Sequence, residues 1–120
     1  MSMTYDDLVN GTERIKKYIG NFIAIKPVDV VDLEAKLKLL DSFVGTAKNL
    51  SKAKIATNPG LKNENYKIIE RLYEEFKQSV SDLKNLIRHK DSDDMLIINT
   101  WIVIKNRTQK ILDLSKNFLN

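Results

Sequence analysis

Apolar residues return every third and then fourth position along Val30, Leu33, Leu37, Leu40, Val44 and Ala47, the spacing that keeps one face of an α-helix continuously apolar. Leu39, Phe43 and Leu50 lie beside this seam and widen it, so that the helix can touch two neighbours rather than one. Ile69, Tyr73, Phe76, Val80, Leu83 and Ile87 repeat the pattern, and Tyr5, Leu8, Ile15, Tyr18, Ile19, Phe22 and Ile23 follow it more loosely. Three amphipathic helices are predicted from these runs alone.

The punctuation between the runs agrees with their period. Thr4 is a suitable N-cap, and Asp6 and Asp7 stand in the positive first turn that follows it. Asn10-Gly11 and Gly20 are weak points inside this first helix, and the dipeptide is expected to divide it into a short piece and a longer one. Lys26-Pro27 ends it, because the residue before proline is pushed out of the helical region. Asp29 then caps a second helix, which stops before the turn at Thr57-Asn58-Pro59-Gly60. Asn63 is placed to cap the third, and the basic run Arg88-His89-Lys90 suits its negative end. Asp91 or Ser92 is the expected cap of a fourth.

That fourth segment departs from the pattern. Met95-Leu96-Ile97-Ile98 and Trp101-Ile102-Val103-Ile104 are dense in β-branched and aromatic residues, so a buried strand competes with a helix over 95–104. No other stretch offers a partner strand, and a helix to about Phe118 is the expectation, with Ile97, Trp101, Ile104, Ile111 and Phe118 turned to the core. At ~100° per residue this core face leaves Met95, Ile98 and Ile102 on one flank and Leu96, Val103 and Leu114 on the other. A helix that is apolar nearly all round is either the most central of its bundle or part of a contact between molecules.

Short connections make sequential helices antiparallel neighbours. The predicted fold is therefore all-α: an antiparallel up-down-up-down four-helix bundle, with helices over about 4–24, 29–54, 63–89 and 92–118, forming one domain over 1–120. A chain of 120 residues, 42% hydrophobic and 30% charged, is of the size and composition to build one such core. With no cysteine, disulfides and thiol chemistry are excluded, and with no uncharged apolar run of ~18 residues and an acidic N-terminal segment, a cytoplasmic, non-membrane protein is expected.

The net charge of +4 gains meaning from its placement. Up-down topology gathers Lys48, Lys52, Lys54, Lys62, Lys67, Lys110 and Lys116 toward one end, and no acidic residue occurs between Ser42 and Asn63. Such an end could hold a phosphate backbone, although Tyr66 is the one aromatic residue in it that could stack on a base. A solvated lysine-rich end is the plainer reading.

Catalytic constellations are not found. The sole histidine, His89, stands between two cations without a partner to orient it. Glu70, Glu74 and Glu75 lack the Glu-x-x-His pairs of a helical di-metal site. Asp91, Asp93 and Asp94 run into Met95-Leu96 rather than into a calcium loop. The expectation is a non-enzymatic interaction or assembly protein without cofactor or metal, which self-associates or docks a protein through Met95, Leu96, Ile98, Ile102 and Val103. The alternative is a nucleic-acid-binding accessory protein that uses the lysines.

Overall fold

The computed structural model describes residues 3–25, 28–58, 60, 63–89 and 92–119. These form four helices: α1 (Tyr5–Ala24), α2 (Val30–Thr57), α3 (Asn63–Arg88) and α4 (Asp94–Leu119). The segment 95–104 is helical throughout. Among the described residues no helix is long and apolar enough to cross a membrane.

Local chemistry accounts for most of the helix ends. Thr4 and Asp7 form a reciprocal capping box: the Thr4 hydroxyl accepts from the Asp7 amide at 3.1 Å, and the Asp7 carboxylate accepts from the Thr4 amide at 3.0 Å. The hydrogen bond from the Thr4 backbone, then that from its side chain, hold the Asp7 carboxyl below its ordinary range. Asp29 accepts from the Asp32 amide at 3.1 Å and caps α2. That helix runs past Lys54 to Thr57, whose hydroxyl donates back to the Ala53 and Lys54 carbonyls at its last turn. At α4 the cap falls later than Ser92, at Asp93. Backbone turns from His89 to Leu86 and from Ser92 to His89 occupy that connection, and Asp93 Oδ1 accepts from the Met95 amide at 2.9 Å. Asp91 and Lys90 lie outside the described residues, and Asn63 is the first residue of α3 rather than the residue before it.

The expected break in α1 does not occur. Gly11 is buried against α2, and a Cβ built on it would stand 2.5 Å from Phe43 Cζ. The glycine therefore serves a close helix approach, with its backbone still helical, and the ring of Phe43 occupies the space a side chain would have taken.

Contacts between helix ends fix the directions of the helices: Leu86 and His89 near the finish of α3 line one groove with Leu96 near the start of α4, and Tyr5 at the start of α1 lines another with Thr57 and Leu119 at the finishes of α2 and α4. Arg88, at the finish of α3, binds Glu34, near the start of α2, with Nη2 at 2.6 Å. Arg107 of α4 binds Glu75 of α3 at 2.8 Å. Gly20, near the finish of α1, faces the Trp101 indole near the start of α4. The bundle is thus up-down-up-down. Both α2 and α4 touch all three other helices, whereas among the described residues α1 and α3 do not touch each other. The result is a flattened bundle with Cα extents of 51 × 27 × 17 Å, in which α2 runs along the middle of one broad face and α4 along the middle of the other.

The core follows the predicted seams. Leu33, Leu37, Leu40, Val44 and Ala47 of α2 are buried, with Val30 half-buried and Ser51 continuing the line. Ile69, Phe76, Val80 and Leu83 of α3 join them, while Tyr73 and Ile87 are half-buried and Leu72 and Tyr66 take fuller burial. All five predicted core residues of α4, Ile97, Trp101, Ile104, Ile111 and Phe118, are buried. Toward the end where α1 starts and α2 finishes, small and hydroxylated residues join the filling: Gly11, Thr12, Ser51, Thr108 and Ser115 are all buried, among Leu8, Leu112 and Phe118. Ser51, Thr108 and Ser115 satisfy their hydroxyls by donating to the carbonyl four residues back.

Candidate interaction surface

From Met95 to Ile104, α4 carries no charged residue. Its core side is taken up by Ile97, Trp101 and Ile104, and the remaining apolar residues stay outside: Met95, Leu96, Ile98, Ile102 and Val103 retain between 39% (Val103) and 59% (Met95) of their surface. No helix of the bundle covers them. They lie on the outer side of α4, in the middle of a broad face, toward the end where α4 begins. Asn99 and Asn106 lie between the two flanks and are also exposed. The pattern recurs at seven residues: Met95 with Ile102, Leu96 with Val103, Asn99 with Asn106.

Beside this face, Leu96 and Thr100 of α4 and Asp82, Leu86 and His89 from the end of α3 line a shallow groove. His89 is exposed, and its Nδ1 donates to the Asn85 carbonyl at 2.6 Å, which ties the ring to its own helix. On the other side, Lys105 lies over the Trp101 ring at 5.8 Å, so the indole is closed off by a cation's stem and contributes core filling rather than an exposed anchor.

The lysines are arranged differently from a single patch. Lys52 and Lys54 are both exposed, but two residues along a helix place them ~200° apart. Lys52 belongs to the side of α2 facing α3, and Lys54 lines a groove with Met3, Tyr5 and Leu119 on the other side. Lys48 sits 4.9 Å over the Tyr73 ring, well down the bundle, and Lys77 shares that ring at 5.4 Å. Lys67, Lys110 and Lys116 are exposed, with Lys110 and Lys116 turned to different sides of α4. Lys62 lies outside the described residues. The same topology also brings the start of α1, with Asp6 and Asp7, to this end, where Glu64 and Asp113 stand as well. Tyr66 keeps only 6% of its surface and is not available to stack on a base.

One polar contact was not legible from the helical pattern. Tyr73, a seam residue by period, donates its hydroxyl to Asp41 Oδ1 at 2.7 Å across the α2–α3 interface, over the space left by Gly45. Burial, then the hydrogen bond to Asp41, push the Tyr73 phenol well above its ordinary value. This is a pairing of helix with helix, and the phenol is held in its neutral, donating form. The carboxylates considered from sequence are dispersed: Glu75 pairs with Arg107, Glu74 lies 3.8 Å from Lys77, and Glu70 is exposed. Among the described residues no three of His, Cys, Asp or Glu come together as a metal-binding group.

No protein-family model, curated protein or solved structure matches the chain.

Proposed function

We propose that this chain is a non-enzymatic interaction or assembly protein whose working surface is the outer face of α4. The observation that supports the reading is the exposure of Met95, Leu96, Ile98, Ile102 and Val103 together, on a ten-residue run without charge. These side chains present on the order of 400 Å² of apolar surface, the size of the largest patch on an ordinary monomer and one that such monomers tend to use. Elsewhere exposed apolar residues such as Tyr18, Ile25, Val31 and Leu39 each stand next to a charged residue in the chain and are broken up by lysine and aspartate. A partner that covers the α4 face removes from water what folding leaves in it, so the driving force for docking is the hydrophobic effect.

The test replaces Ile98 and Ile102 by lysine together. Both positions are exposed, so the helical circular-dichroism signal and unfolding midpoint should stay near those of the parent, within about 0.5 kcal/mol for substitutions away from the core. Solution mass by light scattering, and the set of proteins retained by the immobilised chain, should change. If the doubly substituted protein folds and neither readout moves, the reading is overturned.

A further inference from the structure

We propose that the occupant of this face is a second copy of the chain, with the two α4 helices packed antiparallel across a two-fold axis that passes at Asn99. This rests on the docking role of α4 argued above and specifies who docks and in which register. A two-fold contact requires a patch that is complementary to itself, and the α4 face has that property in three respects.

The first is register. Asn99 lies midway along the apolar stretch, between Met95 and Val103, and midway between its two flanks. An antiparallel pair centred there sets Met95 against Ile102 of the second copy on one flank and Leu96 against Val103 on the other. Each flank thus meets itself reversed, and the seven-residue recurrence gives every apolar side chain an apolar partner. Sliding one helix by a single turn would leave Met95 or Val103 facing solvent.

The second is polarity. The only polar side chain within the stripe at its centre, Asn99, meets its own symmetry mate, and an amide carries both a donor and an acceptor, so two of them pair. A lone asparagine in an apolar helix seam fixes register and orientation at some cost in affinity. A parallel arrangement would also pair Asn99 with itself, and charge separates the two. The stretch is acidic just before it, at Asp93 and Asp94, and basic just after it, at Lys105, with Arg107 beyond it already engaged by Glu75. Antiparallel packing brings the acidic turn of each copy alongside the basic turn of the other, within a Debye length. Parallel packing sets like beside like. The helix dipoles also oppose one another in the antiparallel pair.

The third is area. With on the order of 400 Å² of apolar side chain from each copy, plus the amides and the stems around them, the contact comes to roughly 1,000 Å², the low end of specific interfaces. The dimer should therefore be in exchange with monomer at micromolar concentrations.

Because the chain contains no cysteine, one engineered thiol reports this geometry directly. Asn99→Cys puts a thiol on the axis, where two copies approach closely enough for a disulfide. Ser42→Cys, exposed on the outer face of α2 on the opposite side of the bundle, is the control. The wild-type chain is followed by sedimentation velocity from micromolar to millimolar concentration, and the two cysteine variants by non-reducing electrophoresis under mild oxidation. The expected result is a mass that doubles with concentration, loss of the doubling in the Ile98→Lys/Ile102→Lys chain, and covalent dimer forming at least about tenfold faster for Asn99→Cys than for Ser42→Cys, as a raised effective concentration requires. Doubling that the lysines abolish, with Asn99→Cys no faster than the control, overturns the register while leaving α4 as the docking face. A wild-type chain that stays monomeric at millimolar concentration overturns the second copy as occupant. The role of α4 is then decided separately, by whether the lysine substitutions change which proteins the immobilised chain retains.

Discussion

The two ends of the bundle solve opposite problems. Where α4 begins, the interior is filled by large side chains, Ile23, Leu33, Ile97 and Trp101 among them, and apolar residues still remain on the outside: Ile25, Val31 and the α4 face. Where α4 finishes, small and hydroxylated residues, Thr12, Ala47, Ser51 and Ser115, are packed among Leu8, Leu112 and Phe118 inside, and the outside is charged with both signs. One end thus carries more apolar surface than its own core can take in, and the other carries just enough to close. A bundle built for stability alone would place its excess inside. An excess held outside, toward one end and mostly on α4, is what a contact with another molecule requires.

The largest effect that tests this contrast is at Trp101. The indole is buried at 6% exposure between Gly20 and the Lys105 stem, directly beneath the outer face of α4. Trp101→Ala should cost about 3–5 kcal/mol, the range for deleting a large buried aromatic. Denaturant unfolding followed by circular dichroism should show a lower midpoint with an unchanged slope. A loss under about 1 kcal/mol would mean that the end with the apolar exterior is not held by its interior.

At the other end the sign reverses. Thr12 is completely buried and its hydroxyl has no hydrogen-bond partner among the described residues, unlike Ser51, Thr108 and Ser115, which donate to their own helices. Thr12→Val keeps the branched shape and removes an unpaired oxygen, so the folded state should gain about 1–2 kcal/mol. Thermal or denaturant unfolding reads it. A destabilised variant would show that the hydroxyl is satisfied, by a water held at this end.

The difference between these two ends was only partly legible in the residue order. Period and capping located four helices, and the five residues expected to face the core of α4 do so, joined by Thr108, Leu112 and Ser115, which that expectation did not include. The excess on α4 was legible too, because Met95, Ile98 and Ile102 cannot share a face with Ile97, Trp101 and Ile104 at ~100° per residue. Gly11 was misread as a break because its neighbour in space, Phe43, is thirty-two positions away in the chain. The Tyr73–Asp41 bond escaped for the same reason, since helical period says which side a residue is on and nothing of what stands opposite. The lysines misled in a third way: counting them along the chain omitted the angle between Lys52 and Lys54 and the return of Asp6 and Asp7 at the start of α1.

That omission sets the smallest effect. Lys52, Lys54 and Lys67 are exposed, and Lys52→Gln/Lys54→Gln/Lys67→Gln should leave stability within about 0.5 kcal/mol. A nucleic-acid surface loses counterions in proportion to the phosphates it neutralises, with a logarithmic slope of about −0.9 for each one on duplex. Lys52 and Lys54 point to different sides of α2, and Asp6, Asp7 and Glu64 stand at the same end, an arrangement that favours weak, diffuse attraction over a single phosphate track. Titration of a labelled oligonucleotide, single- and double-stranded, should therefore give weak binding at low salt that vanishes near physiological ionic strength, and the three glutamines should change it less than about tenfold. If instead the wild-type slope is steep and the substitutions reduce it by nearly three, the charged end is the working surface, and the apolar excess on α4 loses its claim to be the feature that distinguishes the two ends.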